Sequence, residues 1–206
     1  MELNIAGETF GEVPRPKMLA WHGDPDLKAE ALMRMKTHQV QDEITQGTYF
    51  TETNVKIGPG FGSGFKGCFH GCLTSEKYMQ ENKLSRKKFN RMLDAMDLDA
   101  RGDQGDWYHR QGELIWGIPE DLGGLLDVTF ESIDGPEEAA MFAVESIEAM
   151  AVGADLTGVV QALDDADTAL YNNDREAWYV TRSNPMIGAR AVLQMLREAP
   201  VPNQES

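Results

Sequence analysis

Apolar residues recur every three or four positions in six stretches of the chain, the spacing of one buried helix face. The first stretch opens at Asp24–Pro25, an N-cap followed by a first-turn proline. It carries Leu27, Ala31, Leu32 and Met35 and is expected to run to Gly47. Ser85 caps the second, which sets Phe89, Met92, Leu93 and Met96 against Arg86, Lys87, Lys88 and Arg91 on the other side. Pro119 starts the third, through Leu122, Leu125, Leu126, Phe130 and Ile133, although Gly123 and Gly124 each weaken it by about 1 kcal/mol relative to alanine. Pro136 starts the fourth, with Ala140, Val144, Ile147 and Ala151 on its stripe and Gly153 as its stop. Asp155 opens a fifth, with Leu156, Val159, Val160, Leu163 and Leu170. Pro185 opens a sixth, with Ile187, Val192, Leu193 and Leu196.

The remainder reads differently. Leu3 to Val13 suggests a loose hairpin and Trp178 to Thr181 a short strand. Six glycines between Gly58 and Gly71 are too many for a helix interior and predict a long loop. The fold class is therefore mainly α: one compact domain over 1–206, with an extended segment over 1–20, a Gly/Cys-rich loop over 58–72 and a flexible tail over 199–206. Most of the 11 methionines, with Trp107, Trp116 and Trp178, are expected in the core. No internal repeat or low-complexity tract interrupts the pattern.

Composition narrows the function classes. No apolar run approaches the 18 to 20 residues, roughly, that cross a bilayer, and Met1-Glu2-Leu3-Asn4 lacks the basic start of a secretory signal, so a cytoplasmic protein without membrane partners is expected. The net charge of −15 is unevenly spread. Residues 1–100 carry 13 Lys or Arg against 14 Asp or Glu, whereas residues 101–206 carry 6 against 20. Such a surface repels phosphate backbones, which argues against direct nucleic-acid binding. It either keeps the chain soluble or docks a basic protein, in the manner of a nucleic-acid mimic.

Two constellations carry candidate chemistry. His38 and Asp42, four residues apart on the expected first helix, would share a face that continues the apolar line, so that the carboxylate could orient the imidazole or the pair could close the core. Lys66-Gly67-Cys68-Phe69-His70-Gly71-Cys72 is the second. Its glycines could free backbone amides for an anion, but the lysine precedes the second glycine and so fails the P-loop pattern. Cys68 or Cys72 could be a nucleophile activated by His70 or His38, or a small buried hydrophobe. Cys-x3-Cys falls short of a structural zinc pattern, so no metal is expected, and no pattern names a cofactor.

The succession Trp21-His22-Gly23, His38 and Asp42, Gln46-Gly47-Thr48-Tyr49, Lys66-Gly67-Cys68 and Gly71-Cys72 resembles a family of uncharacterised proteins of phages and bacterial genomes. Gly117-Ile118-Pro119-Glu120, Phe130-Glu131 and Val152-Gly153-Ala154-Asp155-Leu156 are similar to its later blocks, so that the likeness spans about residues 21 to 160. The resemblance implies a phage or mobile-element accessory protein, working in the host cytoplasm. The resemblance carries no established activity across; the residues themselves point to a small polar or anionic ligand, of nucleotide type for example, bound between His22, His38, Asp42, Tyr49, Lys66, Gly67, Cys68, Gly71 and Cys72, and the resemblance adds the countering of host defence as its setting. That family's loop carries an aliphatic residue at the place of His70. The rival readings are an acidic inhibitor of a basic host protein and a small enzyme using a Cys or a His/Asp site.

Overall fold

The apolar stripes fold as the spacing requires. The computed structural model describes residues 19–52, 64–98, 104–156, 158–159, 161 and 185–202. After a single 3-10 turn at Ala20–Gly23 come α1 (Pro25–Val40), β1 (Thr51–Glu52), β2 (Phe65–Lys66), α2 (Phe69–Glu81), α3 (Arg86–Leu98), α4 (Gln104–Trp116), α5 (Glu120–Ser132), α6 (Pro136–Ala149) and α7 (Pro185–Glu198). The fold is mainly α, and the one sheet among the described residues is the antiparallel pair β1–β2.

Local chemistry explains the ends of α1. The Asp24 side chain accepts the Asp26 N–H at 2.8 Å, and Pro25 needs no donor in the first turn. The helix stops at Val40 rather than Gly47, because Asp42 enters the left-handed region at φ +52° and the chain turns back there. α6 likewise ends at Ala149, before Gly153. The expected hairpin at 3–13, the strand at 178–181 and most of the helix after Asp155 lie outside the described residues.

The predicted stripes form the core. Ala31, Met35, Leu122, Leu126, Phe130, Ile133, Ala140, Val144, Ile147, Val192, Leu193 and Leu196 are buried in one cluster, and Phe89 and Leu93 belong to a smaller one with Met79 and Tyr108. Trp21 and Trp116 meet edge to face with centroids 6.4 Å apart, and the Trp21 indole N–H donates to the Met150 carbonyl at 3.0 Å. Met33 and Met141 are exceptions to the expected core role of methionine, more than half exposed. At the C-terminal end Ala199 is buried and the Pro200 carbonyl accepts the Asp155 N–H, so the first residues of the expected tail are packed.

Two helices went unread in the sequence. α4 carries Tyr108, Gly112 and Trp116 on its buried side but no run of aliphatic residues. α2 begins inside the predicted glycine loop, at Phe69, and Gly71 and Cys72 lie in its first turns. The glycines serve close approach rather than looseness. A Cβ on Gly71, or on Gly67, would collide with the carbonyl oxygen of Tyr49, which runs directly against the start of α2. The Cys68 N–H donates to the Thr48 carbonyl at 2.7 Å, and Thr45 and Glu43 exchange backbone bonds with Gly67. Segment 43–49 is thereby fastened to α2.

Gly71→Ala should cost about 2–4 kcal/mol of stability in urea unfolding, because the obstruction is backbone and cannot swing away. Gly188→Ala on α7, where a Cβ meets open space, should be neutral or stabilising by up to about 1 kcal/mol in the same assay.

Candidate functional site

Three helices each present one polar side chain to a common buried point: His70 from the first turn of α2, His109 from α4 and Asp127 from α5. His70 Nδ1 lies 3.1 Å from Asp127 Oδ1, and His109 Nε2 lies 2.9 Å from Asp127 Oδ2. An ionised carboxylate only accepts, so both facing nitrogens carry the protons. The His70 ring is fully buried, and the side chains of Asp127 and His109 keep 7% and 13% of their exposure, so the cluster meets its surroundings from the His109 side. The two imidazoles stand edge to face with centroids 5.1 Å apart.

Glycines make room for the rings. A Cβ on Gly112 would stand 3.1 Å from His70 Cδ2, and one on Gly123 would stand 3.1 Å from His70 Nε2. Gly123 and Gly124, a weakness in helix propensity, are the wall against which the two histidines pack. His70 Nε2 is buried with no hydrogen-bond partner among the described residues. Tyr49 covers the remaining side: its ring stacks on Tyr108 at 4.7 Å and meets His109 edge-on at 6.3 Å, while the Tyr108 hydroxyl pairs with Ser75 at 2.9 Å.

The electrostatics follow from this packing. Burial on its own would raise the Asp127 carboxyl. The charge of His70, the hydrogen bonds from His109 and His70 and the charge of His109 outweigh it and hold the group well below the usual carboxylate range. Burial, with the Asp127 charge second, pushes the Cys68 thiol well up. Burial, with the Glu43 charge second, does the same at Cys72. Neither cysteine is disulfide-bonded, and such neutral, desolvated thiols are poor nucleophiles. Glu131, one turn beyond Asp127, is raised by burial and by the Asp127 charge, while the Gly47 N–H bonded to it acts in the opposite sense.

The residues singled out in the sequence divide into groups. Tyr49, Gly67, Cys68, Gly71 and Cys72 converge around the start of α2, beside His70. His38 does not pair with Asp42. Its Nδ1 donates to Glu43 Oε2 at 2.7 Å in a buried contact, whereas Asp42 lies beyond the end of α1, largely exposed, with Lys66 Nζ at 3.2 Å. The sharing of a helix face fails because the helix has already ended. Cys72 Sγ contacts the Glu43 and Gly67 carbonyls, so His38 and Cys72 meet through Glu43. His22 stands apart, its Nε2 at 3.2 Å from the Leu114 carbonyl.

His109, Asp127 and Glu43 were missed. The signal for Asp127 was present: it sits between Leu126 and Phe130 on a buried stripe, with two glycines before it. His109 lay in a helix without an aliphatic stripe. Comparison with protein-family models, with curated proteins and with solved structures finds no match.

In the metal-free chain Asp127→Ala should cost about 3–5 kcal/mol at pH 7, since it strands the buried His70 imidazole and the part-buried His109 one. Because the folded-state pKa of Asp127 is depressed, its contribution is complete above the usual carboxylate range and lost as the pH falls below about 4. The difference between wild type and variant should therefore shrink on acidification, as urea unfolding from pH 7 to pH 3 will measure.

Proposed function

We propose that this chain is a metalloprotein, and that His70, His109 and Asp127 hold one divalent transition-metal ion whose open positions take a small polar ligand. The observation that carries this reading is the convergence itself: one ligating atom from each of three helices, all within 4.8 Å of one another, in a nearly closed site. Two imidazoles and one carboxylate suit zinc, iron, manganese, cobalt or nickel, and three protein ligands leave positions for water or ligand. On loading, each imidazole would give up the proton on its facing nitrogen and carry one on its outer nitrogen, and the ion would take the place of the two hydrogen bonds to Asp127. The thiols stay outside the donor set, which disfavours a soft ion.

The bound ion would polarise a coordinated water or a carbonyl or phosphoryl oxygen, the shared basis of metal-assisted binding and hydrolysis. The surroundings favour a neutral or weakly charged ligand over a strong anion. Glu131 and Glu120 lie on α5 with Asp127, and the one Lys or Arg of α4 and α5, Arg110, faces Glu120 at 3.8 Å. Within the accessory role that the sequence resemblance implies, such a centre would capture or process a small oxygen-bearing molecule.

Untagged protein reconstituted with Zn2+, Mn2+ or Fe2+ and desalted should retain about one equivalent of one of them by inductively coupled plasma mass spectrometry. His109→Ala and Asp127→Ala should each retain less than about a tenth of that, while the Cys68→Ser, Cys72→Ser double variant keeps it. Metal at about 100 times its dissociation constant should also stabilise the chain by about 2.7 kcal/mol, reversed by a chelator. If no ion is retained and none raises the melting temperature, the cluster is a structural hydrogen-bond hub and the metal reading is overturned.

A further inference from the structure

Away from the histidine cluster, the end of α1 and the start of α6 leave a groove between them. It is a cavity of about 280 Å3, lined by Gln39, Asp42 and Ile44 on one side and by Pro136, Glu137, Ala140 and Met141 on the other. Its floor is apolar and its rim is acidic. Ile44 and Ala140 are buried at the base, Met141 is 52% exposed, and Val40, at the adjacent end of α1, is 86% exposed. Asp42 and Glu137 stand exposed on the rim, Asp42 with the exposed Lys66 Nζ at 3.2 Å, and none of the residues that line the groove itself is basic.

We propose that this groove docks a basic segment of another protein, one in which arginine or lysine alternates with apolar residues. Charge complementarity selects the occupant. The half of the chain that supplies α6 carries 20 Asp or Glu against 6 Lys or Arg, and Asp134 and Glu138 stand exposed next to Pro136 and Glu137 in the chain. The C-terminal carbonyls of α1 add partial negative charge at Gln39, and Glu137 and Glu138 offset the positive end of α6. An arginine laid in the groove would rest its methylene stem on Ile44 and Met141 and turn its guanidinium to Glu137 and to Asp42, where it exchanges for the exposed Lys66 ammonium, a pair weak enough to be displaced. A neighbouring apolar side chain would cover Val40 and Met141, which otherwise face water. An acidic or purely apolar segment gains only half of these contacts. This surface is separate from the proposed metal centre, so either can stand without the other.

The test uses a fluorescein-labelled peptide of alternating Arg and Leu, its Glu-for-Arg counterpart, and anisotropy titration against the full chain. The Arg peptide should bind, and its affinity should fall about ten-fold between about 50 and 200 mM salt. Asp42→Asn with Glu137→Gln should weaken it by about five-fold or more. Asparagine tolerates the left-handed backbone at position 42, so the fold is kept, as circular dichroism will check. Glu120→Gln with Asp121→Asn removes two charges from the other end of α5 and should change affinity by less than about two-fold. Equal loss from the two double variants would reduce the binding to general charge and overturn the proposal, as would binding of the Glu peptide with equal affinity. Sedimentation that gives a dimer whose formation the groove variants abolish would also overturn it, because the occupant is then a second copy of this chain.

Discussion

A single buried carboxylate sets the terms for half of this fold. Asp127 is placed where an unpaired charge would be expelled, and it stays ionised because two imidazoles arrive on its two oxygens from two other helices. That requirement fixes the relative positions of α2, α4 and α5 more tightly than apolar packing would, because oil-like contacts tolerate sliding and a three-way hydrogen-bonded junction does not. The glycines of α4 and α5 follow from it, since the rings need the volume that side chains at 112 and 123 would occupy. The stacking of Tyr49 on Tyr108 follows too, as the cover over the one edge where the cluster approaches the surface.

A second buried pair works at the other end of the segment that carries Tyr49. His38 and Glu43 hold the chain where α1 has stopped, and the Glu43 carbonyl takes the Gly67 N–H that begins the approach to α2. The route from α1 to α2 is thus clamped twice, at Glu43 and at Tyr49. Between α1 and α2 themselves, Arg34 reaches Glu30, Glu76 and Gln80, and Lys77 reaches Glu30. That network is partly screened, and it adds alignment more than free energy.

The amphipathic helices were readable because their burial repeats. Most of the described stripe residues of α1, α3, α5, α6 and α7 are buried, and Leu27, Leu32, Met92, Met96, Leu125 and Ala151 are half-buried against the same clusters. Where a helix is buried by aromatic rings and glycine, as α4 is, the period carries no aliphatic signal. Where glycine is present for contact rather than freedom, as at Gly67 and Gly71, composition points to a loop and the chain makes a helix. The site was half readable for a related reason. His70 and the cysteines were conspicuous, but their partners stand 39 and 57 residues away from His70 along the chain, and only the packing of α2 against α4 and α5 brings them together. The pairing of His38 with Glu43 instead of Asp42 turned on a helix terminus two residues earlier, a boundary that spacing alone does not resolve.

The slot that holds His70 has a further meaning for how such a chain could diverge. Its walls are glycine backbone at 112 and 123, and the imidazole fills it with Nε2 turned to the wall and Nδ1 turned to Asp127. Exchanging His70 for an aliphatic residue would leave His109 alone on a buried carboxylate and take α2 out of the junction that aligns it with α4 and α5. Scaffold and chemistry are therefore coupled at this position. A single substitution at the start of α2 would thus alter the electrostatics of the junction and the seating of the helix together.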